Sequence, residues 1–437
     1  MVNRWTISYP LQFVDGDRIV REYQLLGLRL GKLAPGLVDS FTGDPALRRQ
    51  VDDEPRPHPV ALAERAALLR RELVGAETLA EPRRRFLDAH LTALGCTARK
   101  LAGVRVAFVD EVRAYFQVDI RPGNPDAYRR AHARLDEVLP GRGSPAERLA
   151  DHRARDAVPP RKLEAAVHAL SRALRDEVRR HFALPAHEAV EYEVVGDRPW
   201  SGFNHYLGGF RSRVAINADL GHRLSNLPHL VAHEAYPGHH TEHCRKEAGL
   251  VGERGHAEQS IFLINTPQCL MAEGAAELGL HAAVGPGWGR WTESVLREEG
   301  LRLDGDQAER VEEAAAGLLT VRQDAALMLH DRRASEDDVV AFLRRWLLVP
   351  ERRARQMVRF LADPLWRAYT TTYVEGARLV RAWLDLRPPS GTLAERYLRL
   401  LDEPMVPEAL AEDLRAGVPR LPRGAGRHPP PDPAHRR

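Results

Sequence analysis

The 437-residue chain contains only three cysteines, Cys96, Cys244 and Cys269. They are odd in number and far apart, which speaks against a disulfide framework and for a reducing compartment, so a cytoplasmic location is expected. Apolar runs approaching about eighteen residues are also lacking, and with them any candidate membrane span. The first residues, MVNRWTISYPLQFVDGDR, do not pass from a basic region into an apolar one as an export signal does. Excess charge is small, 64 Lys and Arg against 61 Asp and Glu. The arginines alternate with acids, as in RRELVGAETLAEPRRR, which fits solvated helix faces and not a nucleic-acid stripe. No nucleic-acid or membrane partner is expected.

Hydrophobic residues make up 43 % of the chain, enough at this length for a large core in one helical unit or in two lobes meeting at a cleft. Leucines at helical spacing over residues 18 to 40 stop at Pro35-Gly36, and residues 60 to 74 and 82 to 101 read as a helical hairpin. Further helices are expected near 125 to 138, 145 to 157 and 160 to 183. These define an N-terminal helical region, 1–186, followed by a region 187–418 packed with it as one unit. Residues 419–437, PRLPRGAGRHPPPDPAHRR, are too rich in Pro, Gly and Arg to fold and read as a disordered tail, which makes His428 and His435 poor ligands.

The texture changes at Glu188. EAVEYEVVG (188–196) and RSRVAINAD (211–219) alternate apolar and polar residues, and the Gly- and aromatic-rich RPWSGFNHYLGGF joins them. They are expected to form two strands of a small antiparallel sheet, the second of them lining a cleft or covering a helix. The fold class is therefore mainly α, with a small antiparallel sheet beside the next helix.

That next helix carries five of the nineteen histidines within residues 229 to 243, HLVAHEAYPGHHTEH. His233-Glu234 opens like H-E-x-x-H, in which two histidines one turn apart hold a metal and the glutamate serves as base. Position 237, however, is Pro, and the following histidines are His239 and His240. On a regular helix six residues amount to roughly 600° of turn, which aims His239 away from His233, and seven return His240 to the same face roughly 10 Å further along. Pro237 cannot donate to the carbonyl of His233 and Gly238 tolerates unusual backbone angles, so a bulge is expected here. With a two-residue bulge His239 becomes the second ligand, and His240 is an outer residue or the alternative ligand. His229 and His243, each four residues from one of these histidines, are rivals that read better as hydrogen-bonded core residues. Cys244 and Cys269 flank the region and also read as core.

HEAYPGHH, followed about thirty residues later by Glu273-Gly274 in CLMAEGAAELGL, resembles the bacterial domain-of-unknown-function family 885, whose members carry an HExxPGHH segment and a downstream EGW-type helix. The resemblance runs from LLGLRLGKLAPGLVDSFTGDP to TTYVEGARLV, over most of the chain. It implies a large helical, zincin-like fold of the gluzincin kind, with Glu273 as third protein ligand beside His233 and His239. It further implies Tyr373, in a Tyr-x-x-Gly segment, and His330, just before a helix capped by Ser335, as groups that hydrogen-bond an oxyanion. Aromatic residues expected after the Glu-Gly pair are Ala275 and Leu278 here, which leaves the pocket wall, and with it the substrate, undefined.

Two histidines and a glutamate suit Zn2+ and leave a fourth position open for water. Glu234 can take a proton from that water and pass it to a leaving amine. Glu277, one turn after Glu273, is a candidate to orient a ligating histidine. The expected function is a zinc-dependent metallopeptidase holding one metal per chain and acting on a peptide or small amide substrate. The alternatives are a metal-dependent amidase of a non-peptide molecule and a non-catalytic helical scaffold.

Overall fold

The computed structural model describes residues 15–198, 200–387 and 391–417. The expected tail, 419–437, and most of the N-terminal stretch considered for an export signal lie outside them. The fold is helical, with two small sheets. Proline abundance is compatible with this because many prolines open helices: Pro45, Pro59, Pro125, Pro145, Pro267 and Pro407 each stand at the first turn, where the missing N–H costs nothing. Asp44, Asn124 and Ser144 cap such helices, and Asp15 caps the helix Gly16–Leu33, by accepting from backbone amides.

The helix Gly16–Leu33 packs on the hairpin Pro59–Leu73 and Glu81–Leu101 around Tyr23, Leu26, Leu69, Phe86 and Leu91. Ile261 and Leu263 from far along the chain close this core. A second core joins Phe108, Tyr115 and Phe116 to Leu270, Val321, Leu343 and Tyr369, and a third joins the helix Leu163–His181 to Tyr236, Leu278, Trp383 and Tyr397. All three thus draw on widely separated sequence. Among the described residues no helix is long and apolar enough to cross a membrane.

Strand β1 (Val38–Phe41) pairs antiparallel with β5 (Ile261–Leu263), and between them Val38 faces Leu263 while Ser40 faces Phe262, so Asp39 is the extra residue of a bulge. The other sheet has three strands, β2 (Ala189–Val195), β3 (Gly202–Gly208) and β4 (Arg211–Asn217), in the order β2-β4-β3. This corrects the expected pairing. β2 and β4 run parallel, and the antiparallel partner of β4 is β3, which lies inside the stretch read as a connection. Gly208, Gly209 and Phe210, all at positive φ, make the tight reversal from β3 into β4. The signal for β3 is present in FNHYL, where Asn204 and Tyr206 are buried and His205 and Leu207 exposed, but its flanking glycines and aromatics mask the alternation.

Two glycines set the approach of the helix Pro267–Glu277 to the π-helical turn Thr372–Gly376. A Cβ on Gly274 would lie 2.5 Å from the Gly376 carbonyl carbon, and one on Gly376 would lie 2.6 Å from the Leu270 carbonyl oxygen. The backbones cross in contact, which requires glycine at both positions. Since backbone cannot retreat as a flexible side chain can, Gly376→Ala is expected to cost about 1–3 kcal/mol, read as a fall in the denaturant midpoint at unchanged m-value.

Candidate metal centre

His233 and Glu234 close the helix Leu227–Glu234, and a second helix, His239–Arg245, starts afresh. The turn between them is a full break and not the expected bulge. Its Tyr236–Pro237 peptide is cis. Gly238 donates its N–H to the Ala232 carbonyl at 2.8 Å, and the amide and hydroxyl of Thr241 both donate to Ala235 O. A Cβ on Gly238 would stand 1.9 Å from His233 O, so no other residue fits.

The break turns the His239 ring perpendicular to that of His233, at 89° with centroids 4.7 Å apart. Their Nε2 atoms are 3.2 Å apart, and Glu273 reaches between them, Oε2 at 3.3 Å from His233 Nε2 and Oε1 at 3.2 Å from His239 Nε2. Four ligands at tetrahedral angles and metal bonds of about 2.1 Å stand roughly 3.4 Å from one another. The three side chains fit a metal ion on a second count: Glu273 Oε2 is buried without a hydrogen-bond partner. Tyr369 donates to Glu273 Oε1 at 2.7 Å, and Glu277 Oε1 lies 3.5 Å from His233 Nδ1.

Electrostatics follow from that packing. Burial alone would raise the Glu273 carboxyl, but His239 and His233 override it and hold it well below the usual carboxylate range. His233, which burial would lower, is pushed up to about 10 by Glu273, with Glu234 and Glu277 adding to the effect. Glu234 moves the other way from Glu273. Burial raises it, Glu273 and Glu277 add to the rise, and the histidines oppose it.

The cavity beside this cluster measures about 190 Å³, and His233, Glu234, His239, Glu273 and Tyr373 all line it. Its strand wall is β3, through Gly202, Phe203 and Asn204, where β4 was the expected candidate. β3 is held there by Asn204, which donates to the Glu234 carbonyl at 2.6 Å, and by Gly202, whose missing side chain leaves room for Leu230 and Glu234. Trp200, Phe262, Phe360 and Trp366 supply the aromatic surface. Ala275 and Leu278 are buried in the third core instead and do not line the cavity.

Two sequence expectations need correction. His330 is not at the cavity: its Nε2 bonds the Leu361 carbonyl at 2.7 Å and its ring packs on Phe108. It is the last residue of the helix Val321–His330, which a 3-10 turn at Ala316–Leu318 separates from the helix Gly305–Ala315. His240 is not with the other two histidines either. It is buried, with Nδ1 against Ser212 Oγ at 2.9 Å and Nε2 against Glu188 Oε2 at 3.1 Å. His229 sits by Glu312, and His243 stacks on Tyr206 at the cavity edge, kept neutral by burial and by neighbouring positive charge.

Sequence reasoning missed Tyr369, Asp39 and Glu188. Tyr369 stands one helical turn before Tyr373, so its spacing was readable. Asp39 depends on a bulge and Glu188 on tertiary packing, which no local pattern announces. Glu188 gathers Arg175 (2.6 Å), Arg179 (3.0 Å), Tyr236 (2.7 Å) and His240 around one fully buried carboxylate.

No protein-family model matches the chain, and no curated protein matches it. Among solved structures it resembles a putative lipoprotein from Colwellia psychrerythraea, with 15 % identity and a TM-score of 0.50 over 81 % of this chain and 66 % of that one. At this identity the likeness is one of fold, and the chain spans just under two thirds of that neighbour. A putative lipoprotein of unknown function from Shewanella oneidensis (14 %, TM-score 0.47, 85 % and 70 %) and an M32 carboxypeptidase from Deinococcus radiodurans R1 (12 %, TM-score 0.40, 92 % and 95 %) overlay more loosely.

Elemental analysis of protein incubated with zinc and desalted is expected to find about one ion per chain, as one open tetrahedral site requires. His233→Ala, His239→Ala and Glu273→Ala should lose it while His240→Ala keeps it. Glu188, held down to about 2 by His240, Tyr236 and Arg175 against the effect of burial, makes a separate prediction. A carboxylate depressed in the fold stabilises it above the unfolded value of about 4.3 and loses that contribution as the pH falls toward the folded one. Glu188→Gln should therefore lower stability at pH 7 by about 2 kcal/mol, and flatten the loss of stability below about pH 4.3 in an acid titration followed by circular dichroism.

Proposed function

We propose that the chain is a metal-dependent hydrolase, a zinc metallopeptidase that cleaves amide bonds in peptides, belonging with the gluzincin-like family its HEAYPGHH and Glu-Gly segments resemble. The observation that carries this reading is the convergence of His233, His239 and Glu273 on one point at the wall of a cavity that also holds Glu234 and Tyr373. Those three residues would hold the ion. Bound there, zinc supplies Lewis acidity, which lowers the pKa of water and polarises a carbonyl.

The protein's own groups do the rest. Glu234, buried and raised above the ordinary carboxylate value, takes a proton from the attacking water and returns it to the leaving amine. Tyr373, whose phenol is raised by burial and by Glu273, Glu277 and Glu234, stays protonated and donates to the oxyanion. Tyr369 steadies the Glu273 carboxylate and Glu277 faces the outer nitrogen of His233, so the ligands are oriented before substrate arrives. Trp200, Phe203, Phe262 and Trp366 exclude water and favour apolar side chains. β3 is an edge strand of its sheet and lines the cavity, a position that suits an extended peptide. The compartment we propose is cytoplasmic, since all three cysteines are free thiols.

Glu234→Gln is expected to keep the metal and lose kcat by about 10²–10⁴-fold. Tyr373→Phe should lose about 10²–10³-fold in kcat with little change in KM. Profiling the zinc-loaded protein on short peptides beside non-peptide amides checks the substrate class. Turnover of the latter alone moves the assignment to an amidase, and full activity in Glu234→Gln removes the mechanism.

A further inference from the structure

The cavity lining also contains a carboxylate that the proposed chemistry does not use. Asp39 is the extra residue of the β1 bulge, and bulges re-aim the side chain they carry. Here it lines the cavity together with His239 and Glu273. Among the described residues it makes no hydrogen bond or ion pair, so it neither holds a metal ligand in place nor answers a cation of the protein. It lies in LLGLRLGKLAPGLVDSFTGDP, a stretch otherwise unaccounted for by the site. No Lys or Arg lines the cavity among the described residues, so a substrate's free carboxylate meets no side-chain cation there.

We propose that Asp39 is a specificity-determining residue that binds an ammonium group of the substrate beside the scissile amide. The inference rests on the hydrolase reading above. Its physical basis is that a carboxylate at a cavity wall with no partner of its own among the described residues is free to accept a charge-assisted hydrogen bond from an incoming ammonium. Trp366 and Phe262 offer ring surface to the same ligand. The ammonium can be the α-amine of an N-terminal residue or the side chain of a lysine, so the substrates are peptides with a free amino end or a basic residue at the cut.

The test measures equilibrium binding, by quenching of tryptophan fluorescence at Trp200 and Trp366, to the full-length zinc-loaded protein carrying Glu234→Gln to stop turnover. The ligands are Ala-Phe amide, its N-acetyl form, and N-acetyl-Lys-Phe amide. The ammonium-bearing ligand should bind at least about tenfold more tightly than N-acetyl-Ala-Phe amide. Tight Ala-Phe amide identifies the α-amine as the source, and tight N-acetyl-Lys-Phe amide the side chain. Adding Asp39→Asn should bring the ligands together, with melting temperature and zinc content unchanged. Equal binding of all three, or a preference that survives Asp39→Asn, overturns the role of Asp39 and leaves the hydrolase reading standing. Absence of binding by any of them overturns both. Should Asp39→Asn fail to fold, equal binding of the three ligands in the Asp39 protein still overturns the assignment.

Discussion

The site depends on a backbone constraint at Gly238. Its Cα lies so close to the carbonyl of His233 that only a hydrogen fits where a side chain would be. That contact lets the chain end one helix at Glu234 and begin another at His239 within four residues, with Gly238 and Thr241 satisfying carbonyls the break would otherwise orphan. A continuous helix would separate the two imidazoles. The break brings their Nε2 atoms to 3.2 Å.

Glu188 answers the question the break leaves open, which of two adjacent histidines faces the cluster. Its buried carboxylate accepts from Arg175, Arg179 and Tyr236 and takes the His240 ring as a further neighbour. Burial of an unpartnered carboxylate would be costly, whereas here every oxygen is satisfied. With His240 committed to this network and to Ser212 of β4, His239 is the one left to face Glu273. The same network ties the helix Leu163–His181 and the mixed sheet to the turn that carries the ligands.

A second close backbone contact completes the arrangement. Gly274 and Gly376 touch, so the residue just before one glycine, Glu273, and the residue three before the other, Tyr373, come to a single cavity. Tyr369, four residues earlier, donates to the Glu273 carboxylate. Aromatic walls come from β3, β5 and the segment 360–366, which are remote in sequence and meet through the shared cores.

By itself the sequence determined that the chain is mainly helical, because leucine spacing and proline-opened helices are local properties. It also marked His233, Glu234, His239, Glu273 and Tyr373 through short motifs whose spacing is set by the glycines within them. Tertiary structure alone decided that β3 is a strand and β2 a parallel neighbour of β4, since strand pairing is long-range and the glycines that make the hairpin hide its alternation. It likewise decided that His330 packs on Phe108, that His240 serves Glu188, and that Asp39 reaches the cavity. The physical reason is common to all three: a polar side chain's partner is whatever group lies nearest after folding, and neither a register shift nor a buried ion network leaves a periodic trace along the chain.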